Sequence, residues 1–205
     1  MTEMVFWSFF LIGVNKMDRR QEILEAATKS FSLFGYKATT MEQIAKIANV
    51  GKGTIYTFFD NKEVLFQEIV LRIIAEMKQE ATKVIKEEAS FQENAHAALM
   101  KMLEFRDTHQ LFAKIIAEEQ EWRTPAVKQV KAQIEQAIVS FIKQKIDKYI
   151  NAGEVRQVNS ELVAYLLLKG YLAFVNDWNL THDRPLTEQE ITDFFQDTIF
   201  QSLII

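Results

Sequence analysis

The chain has 205 residues, a formal net charge of −4 and a hydrophobic share of 48%, a length and balance that suit a small domain joined to a larger one. Two prolines and six glycines leave long helices few interruptions, and no hairpin dipeptide sits between alternating apolar runs. The absence of cysteine excludes disulfides, thiol catalysis and cysteine-based zinc sites, and fits a reducing cytoplasm.

In chain order, the first feature is an apolar run at residues 4–14, MVFWSFFLIGV. It is too short to span a bilayer, and its flanks make a poor signal peptide. As a functional arm it would hide Phe6, Trp7, Phe9 and Phe10 against the first helices or a partner subunit. Asp18 is placed to cap a helix that ends at Gly35 and buries Ile23, Leu24, Ala27, Phe31 and Phe34.

Residues 39–65, TTMEQIAKIANVGKGTIYTFFDNKEVL, carry the strongest signal. Thr40 caps a short helix, Gln43 completes a capping box, and Ile44, Ala45 and Ile47 supply its apolar contacts. Asn49 falls where the chain needs a residue tolerant of left-handed backbone angles, and Val50 plugs the gap between two helices. A second helix beginning at Gly51 or Lys52 sends Lys52 and Thr54 outward while Ile55, Phe58 and Phe59 turn to the core. This is the pattern of a helix-turn-helix.

In Thr40, Ile44, Ala45, Ala48, Val50, Gly53, Tyr56, Phe59, Lys62 and Leu65 the stretch resembles the N-terminal domain of the TetR family of bacterial transcription regulators. Two positions depart from that pattern: Asn49 stands for the usual Gly, and Gly51 for the usual Ser or Thr. The resemblance extends over residues 18–65 and implies that Tyr56 meets a phosphate and that Lys62 clamps the DNA backbone. Lys52 and Thr54 then look like base readers, since Lys donates to guanine and the Thr methyl touches thymine. With Thr40 these four complete the candidate DNA contacts. Residues 17–62 carry seven Lys or Arg against five Asp or Glu, which leaves the remainder clearly acidic. Because MDRRQEILEAA resembles the start of the family's first helix, residues 1–16 also read as an extension upstream of Met17. The division expected is 1–16, an apolar extension; 17–64, DNA binding; and 65–205, ligand binding and dimerisation.

Beyond the motif, helices are expected from Asn61 to Ile85, Ser90 or Phe91 to Phe105, His109 to Glu121, Ala126 to Ala152, Ser160 to Leu180 and Thr187 to Leu203. A bend is expected at Thr124 and Pro125. Between Leu162 and Val175 only Lys169 is charged, so that helix must be buried on more than one face. Gly170 and Ala173 would allow close approach, and Phe194, Phe195 and Ile199 share a stripe on the last helix. These five are the candidate two-fold interface, the alternative being a single larger core; the resemblance implies the homodimer.

Met102, Phe105, His109 and Phe112 follow one helical face, and Trp122, Phe141, Tyr171, Phe174 and Trp178 are large side chains elsewhere in the same region. Stripes of this kind also make solid cores; the resemblance points to a partly open apolar cavity in which His109, Tyr171 or Asn176 orients a small apolar or aromatic effector. Enzyme signatures find no match: His96, His109 and His182 form no HExxH, and Glu118, Glu119 and Glu121 read as a solvated face. No catalytic residue, cofactor or metal is expected, a metal site at His109 being the weaker alternative. The expectation is an all-α, cytoplasmic, homodimeric regulator that binds a palindromic double-stranded operator, engages no membrane and is released by its effector as a repressor. The rival reading is a helical protein–protein interaction module without DNA binding.

Overall fold

The computed structural model describes the backbone of residues 3–204 and the side chains of residues 18–204, except those of Leu99, Leu103, Arg106, Asp107, Gln120, Trp122 and Asn176. The side chains of Phe6, Trp7, Phe9 and Phe10, on which the arm reading rests, lie outside the described residues. The chain is all-α as expected: α1 (Glu3–Ala38), α2 (Met41–Ile47), α3 (Lys52–Tyr56), α4 (Lys62–Lys83), α5 (Phe91–Thr108), α6 (Gln110–Trp122), α7 (Pro125–Asn151), α8 (Ser160–Leu172) and α9 (Glu188–Phe194). A π-helical segment, Ala173–Asp177, and a 3-10 turn, Trp178–Leu180, extend α8; a π-helical segment, Phe195–Phe200, and a turn, Gln201–Leu203, extend α9. Among the described residues there is no strand, only an isolated antiparallel bridge between Val155 and Ile204. No described helix is long and apolar enough to cross a membrane.

Local chemistry sets these ends. Capping boxes open α2 at Thr40 with Gln43, α5 at Ser90 with Glu93, and α9 at Thr187 with Glu190. Pro125 does not merely bend the chain: it opens α7 at the first helical position, where its missing N–H costs nothing. Asp18, expected as a cap, lies inside α1, which begins at Glu3; the intervening sequence has no proline and a single glycine, so nothing stops the helix there.

The chain forms two compact units. The first runs to Arg72 and takes in Gln110–Lys131, so α6 belongs with α1 to α3. Its core includes Ile23, Leu24, Ala27, Phe31, Ile44, Ala45, Ile55, Phe59, Leu65, Phe66 and Leu111. Phe34 does not join this core and is 54% exposed. Gly35 takes φ 81 and breaks the helical geometry of α1, and beyond it Tyr36, not Phe34, supplies the buried ring. The Tyr36 ring lies 6.0 Å from that of Phe31 and 4.8 Å from that of Phe66, centroid to centroid. Ile47, expected as an apolar contact of α2, is exposed as well, since Met41, Ile44 and Ala45 already fill the buried face.

The second unit comprises Ile73–His109 and Ala132–Ile205. Phe91, Ile146, Ala164, Tyr171, Ile191, Phe195 and Phe200 form the centre of its core. The bulky rings come from α5, α8 and the π-helical segment after α9, which closes the layer of helices around one apolar space.

Candidate nucleic-acid interface and effector cavity

The turn between α2 and α3 follows from two residues. Asn49 has φ 52, and Val50 N–H donates to Ala45 O at 2.9 Å, so the chain reverses within the span between the helices. Gly51 caps α3 through an extended backbone with no side-chain hydrogen bond. Ile55 and Phe59 anchor α3 inward, while Lys52, Thr54 and Tyr56 are exposed on its other side. Lys52 forms an ion pair with Glu42 of α2. That exposed pair is a weak restraint, and a phosphate or a guanine edge can replace the carboxylate.

Gly53 adds a signal that residue types alone do not give. A Cβ built at this position meets no atom within 4 Å, so the protein's own packing does not require glycine there. Its backbone is left bare on the exposed side of α3.

Lys62 is placed differently from an outward clamp. Its Nζ donates to Tyr36 O at 2.7 Å and to Thr39 O at 2.9 Å, and lies 4.2 Å from the centre of the Tyr36 ring. Partial burial pulls the ammonium below the ordinary lysine pKa, an effect opposed by Glu118 and Glu63. Burial also pushes the Tyr36 phenol up to about 12, reinforced by the nearby Glu63 and Glu118 carboxylates. Two of the three ammonium donors thus hold the loop that leads into the Thr40 cap.

Glu118 corrects the reading of α6 as a solvated acidic face: it is 6% exposed. Its carboxylate accepts from Tyr36 N–H at 2.5 Å and from Lys37 N–H at 2.8 Å. Because Gly35 interrupts α1, those two N–H groups open a new helical turn and have no partner within it; Glu118 supplies the cap from another helix. The signal was available in the sequence, since Leu111, Ile115 and Glu118 fall at helical spacing and all three are buried. Glu119, its neighbour, pairs with Lys131 at 2.8 Å. Thr39 completes the junction by donating to Gly35 O at 2.8 Å, with the Ser30 hydroxyl 3.2 Å away.

The second unit contains a partly open cavity of about 90 Å³. Of the expected lining, Met102, Phe141 and Tyr171 face it. Phe105 and His109 stack on each other at 5.1 Å instead, and burial lowers the pKa of that imidazole. Trp178 stacks on His182 at 3.6 Å, and Phe174 packs against Phe194 and Phe195. Phe112 belongs to the first unit, and the side chains of Trp122 and Asn176 lie outside the described residues. The lining that residue types did not reveal includes Asn94, Lys145 and Tyr149.

The expected interface residues also divide. A Cβ on Gly170 would lie 3.4 Å from the Phe195 ring, and Phe195 is 1% exposed, so these two serve the close fit of α8 to the chain's own last segment. Ile199 packs against the same core. Ala173 and Phe194 reach the surface, where α8 also exposes Leu162, Tyr165 and Leu166.

Comparison with known proteins agrees with this geometry. The family model for bacterial regulatory proteins of the tetR family matches residues 23–69. The uncharacterized HTH-type transcriptional regulator YhgD of Bacillus subtilis (strain 168) is 48% identical over 187 residues, covering 91% of this chain and 97% of that protein. A TetR-family regulator from Mesorhizobium loti MAFF303099 has a similar fold, with a TM-score of 0.70 at 21% identity over 93% of this chain and 98% of its own. SmeT, solved in complex with triclosan, gives a TM-score of 0.66 at 16% identity, covering 92% of each chain. The chain belongs to the TetR family of bacterial helix-turn-helix transcription regulators.

Proposed function

We propose that this regulator is a cytoplasmic homodimeric repressor that leaves a palindromic operator when a small apolar molecule fills the cavity of its second unit. In this reading Lys52 and Thr54 touch base edges in the major groove, Tyr56 meets a phosphate, and Thr40 lies at the cap that presents α2 to the backbone. Lys62 braces the junction with two donors and turns its third to a phosphate. The observation that carries the effector half of the proposal is the cavity of about 90 Å³ among Met102, Phe141 and Tyr171. SmeT, with a similar fold, is solved with an aromatic ligand, which supports the same use of the fold here.

The exposed strip of Leu162, Tyr165, Leu166, Ala173 and Phe194 supports dimerisation through α8 with the segment that extends it and the end of α9. A two-fold protein then meets half-sites about one helical turn apart or a little more. Release is a population shift: an effector moving the dimer from about 1% to about 99% DNA-incompetent must prefer the released state roughly 10⁴-fold.

Footprinting the purified protein on the DNA beside its own gene tests the proposal. Protection of a palindrome, lost on adding an effector, is the expected result. Absence of duplex binding at low salt would instead support the interaction-module reading. Sedimentation of Leu166→Glu, expected to be monomeric, tests the dimer surface separately.

A further inference from the structure

Lys145 is the feature of the cavity that an apolar effector alone does not explain. Phe141, Lys145 and Tyr149 are spaced four residues apart on α7, and all three line the cavity. The Lys145 Nζ folds back to 5.2 Å from the centre of the Phe141 ring, which keeps the cation beside the cavity wall. Among the described residues it has no carboxylate partner. Of the acids near it in sequence, Asp147 pairs with Lys143 at 2.6 Å and accepts from the Ser160 hydroxyl at 2.5 Å, Glu135 pairs with Lys169 at 2.5 Å, and Glu154 is exposed, outside the cavity lining, though close enough to Tyr149 to help raise the pKa of its phenol.

The remaining polar groups of the wall are neutral. Asn94 donates to Tyr149 Oη at 2.6 Å, which uses the phenol as acceptor and leaves its proton to donate. Burial raises the pKa of that phenol and so keeps it protonated. No Asp or Glu occurs among the described lining residues. The wall therefore includes one formally charged side chain and a neutral donor one helical turn away, at the margin of an almost wholly apolar space.

We propose that the effector is an organic monoanion, a carboxylate on an apolar body, whose head group is held by Lys145 Nζ and Tyr149 Oη while its tail fills the space beside Phe141 and Phe195. The proposal rests on the reading that the cavity takes an effector, and it adds the charge class. A neutral ligand of the same shape leaves the ammonium without a counter-charge, and a cationic ligand meets repulsion with no acid in the described lining to offset it. The carboxylate, by contrast, gains charge-assisted hydrogen bonds at a partly desolvated site.

Titration calorimetry on the full chain with octanoate, octanol and octylamine separates these cases, because the three share a tail and differ in head-group charge. Octanoate is expected to bind at least tenfold more tightly than octanol, and octylamine more weakly than either. Lys145→Met, which keeps the stem against Phe141, is expected to cost octanoate tenfold or more while leaving octanol unchanged. Tyr149→Phe should cost octanoate severalfold. Equal affinities of octanoate and octanol, tighter binding of octylamine, or undiminished octanoate binding in Lys145→Met would overturn the charge class while leaving an effector cavity in place. If none of the three binds wild type, the effector cavity itself is refuted. An unchanged melting temperature in Lys145→Met, expected because its ammonium makes no ion pair among the described residues, shows that any loss is at the site.

Discussion

Replacing Glu118 with Ala strips the cap from the turn that follows Gly35. The carboxylate is buried and accepts two backbone N–H groups, at 2.5 and 2.8 Å. A hydrogen bond to a charged acceptor contributes roughly 1.5–3 kcal/mol, so two give about 3–6 kcal/mol if both donors stay dry. The Lys37 side chain is exposed and water can reach its N–H, which places the loss nearer the lower end, about 3 kcal/mol. In a chain of this size that lowers the melting temperature by roughly 6–12 °C. Hydrogen exchange gives the local test: the Tyr36 and Lys37 amides should lose protection before those of the α1 core. Operator affinity should fall too, because the junction leads directly into the Thr40 cap. Glu118→Gln, which retains one acceptor oxygen, should cost about half as much. Stability within about 0.5 kcal/mol of wild type, with both amides still protected, would refute the account.

Gly53→Ala should stabilise the free protein by up to about 1 kcal/mol, since its Cβ meets nothing and Ala is the better helix former, yet weaken operator binding where DNA approaches the bare backbone; undiminished affinity would remove Gly53 from the interface. Lys62→Met should destabilise the first unit by about 3 kcal/mol, because it removes two charged donors, to Tyr36 O and Thr39 O, worth roughly 1.5–3 kcal/mol each and partly screened by water. It should also lower the salt slope of operator binding by about one, and an intact slope would leave Lys62 a bracing role alone. Tyr36 governs an alkaline response: its folded pKa of about 12 lies above the ordinary 10, so its contribution is complete below pH 10 and is lost as pH rises from 10 towards 12. Lys62, lowered by burial, acts with the opposite sign, and Tyr36→Phe should flatten the fall measured by urea midpoints between pH 9 and 11.5.

The sequence made the helices legible because their ends are written in short-range chemistry. Thr40 with Gln43, Ser90 and Pro125 each act within one turn of their own position, and the helices begin at or next to them. What was not legible depends on partners distant in the chain. Helical spacing with Leu111 and Ile115 could turn Glu118 inward, but its partners, two N–H groups at the Gly35 break 83 residues earlier, could not be read. Phe105, Phe174 and Trp178 have the size and polarity of cavity lining, but ring contacts, stacked for Phe105 and Trp178 and edge-on for Phe174, turn each toward another aromatic. Lys145 carries no signal of its own in the sequence, since a lysine on a long helix with many polar residues is ordinarily solvated. Only its place four residues from Phe141 and from Tyr149 puts it on the cavity wall.

The ten residues that carry the family resemblance split by the direction they face. Ile44, Ala45, Phe59 and Leu65 are buried, Thr40 closes a helix end, and Lys62 ties the α1–α2 junction to α4. Such residues must recur wherever this head is built, whatever DNA it reads. Of the matched set Gly53 and Tyr56 lie on the exposed side of α3, and a bare backbone and a phenol suit contacts to phosphate more than to base edges. Lys52 and Thr54, which share that exposed side, are not part of the matched pattern. A motif match can therefore be strong and still say nothing of the operator. In the proposed reading sequence preference resides in side chains the fold does not constrain, so exchanging Lys52 and Thr54 should alter base preference with little effect on stability.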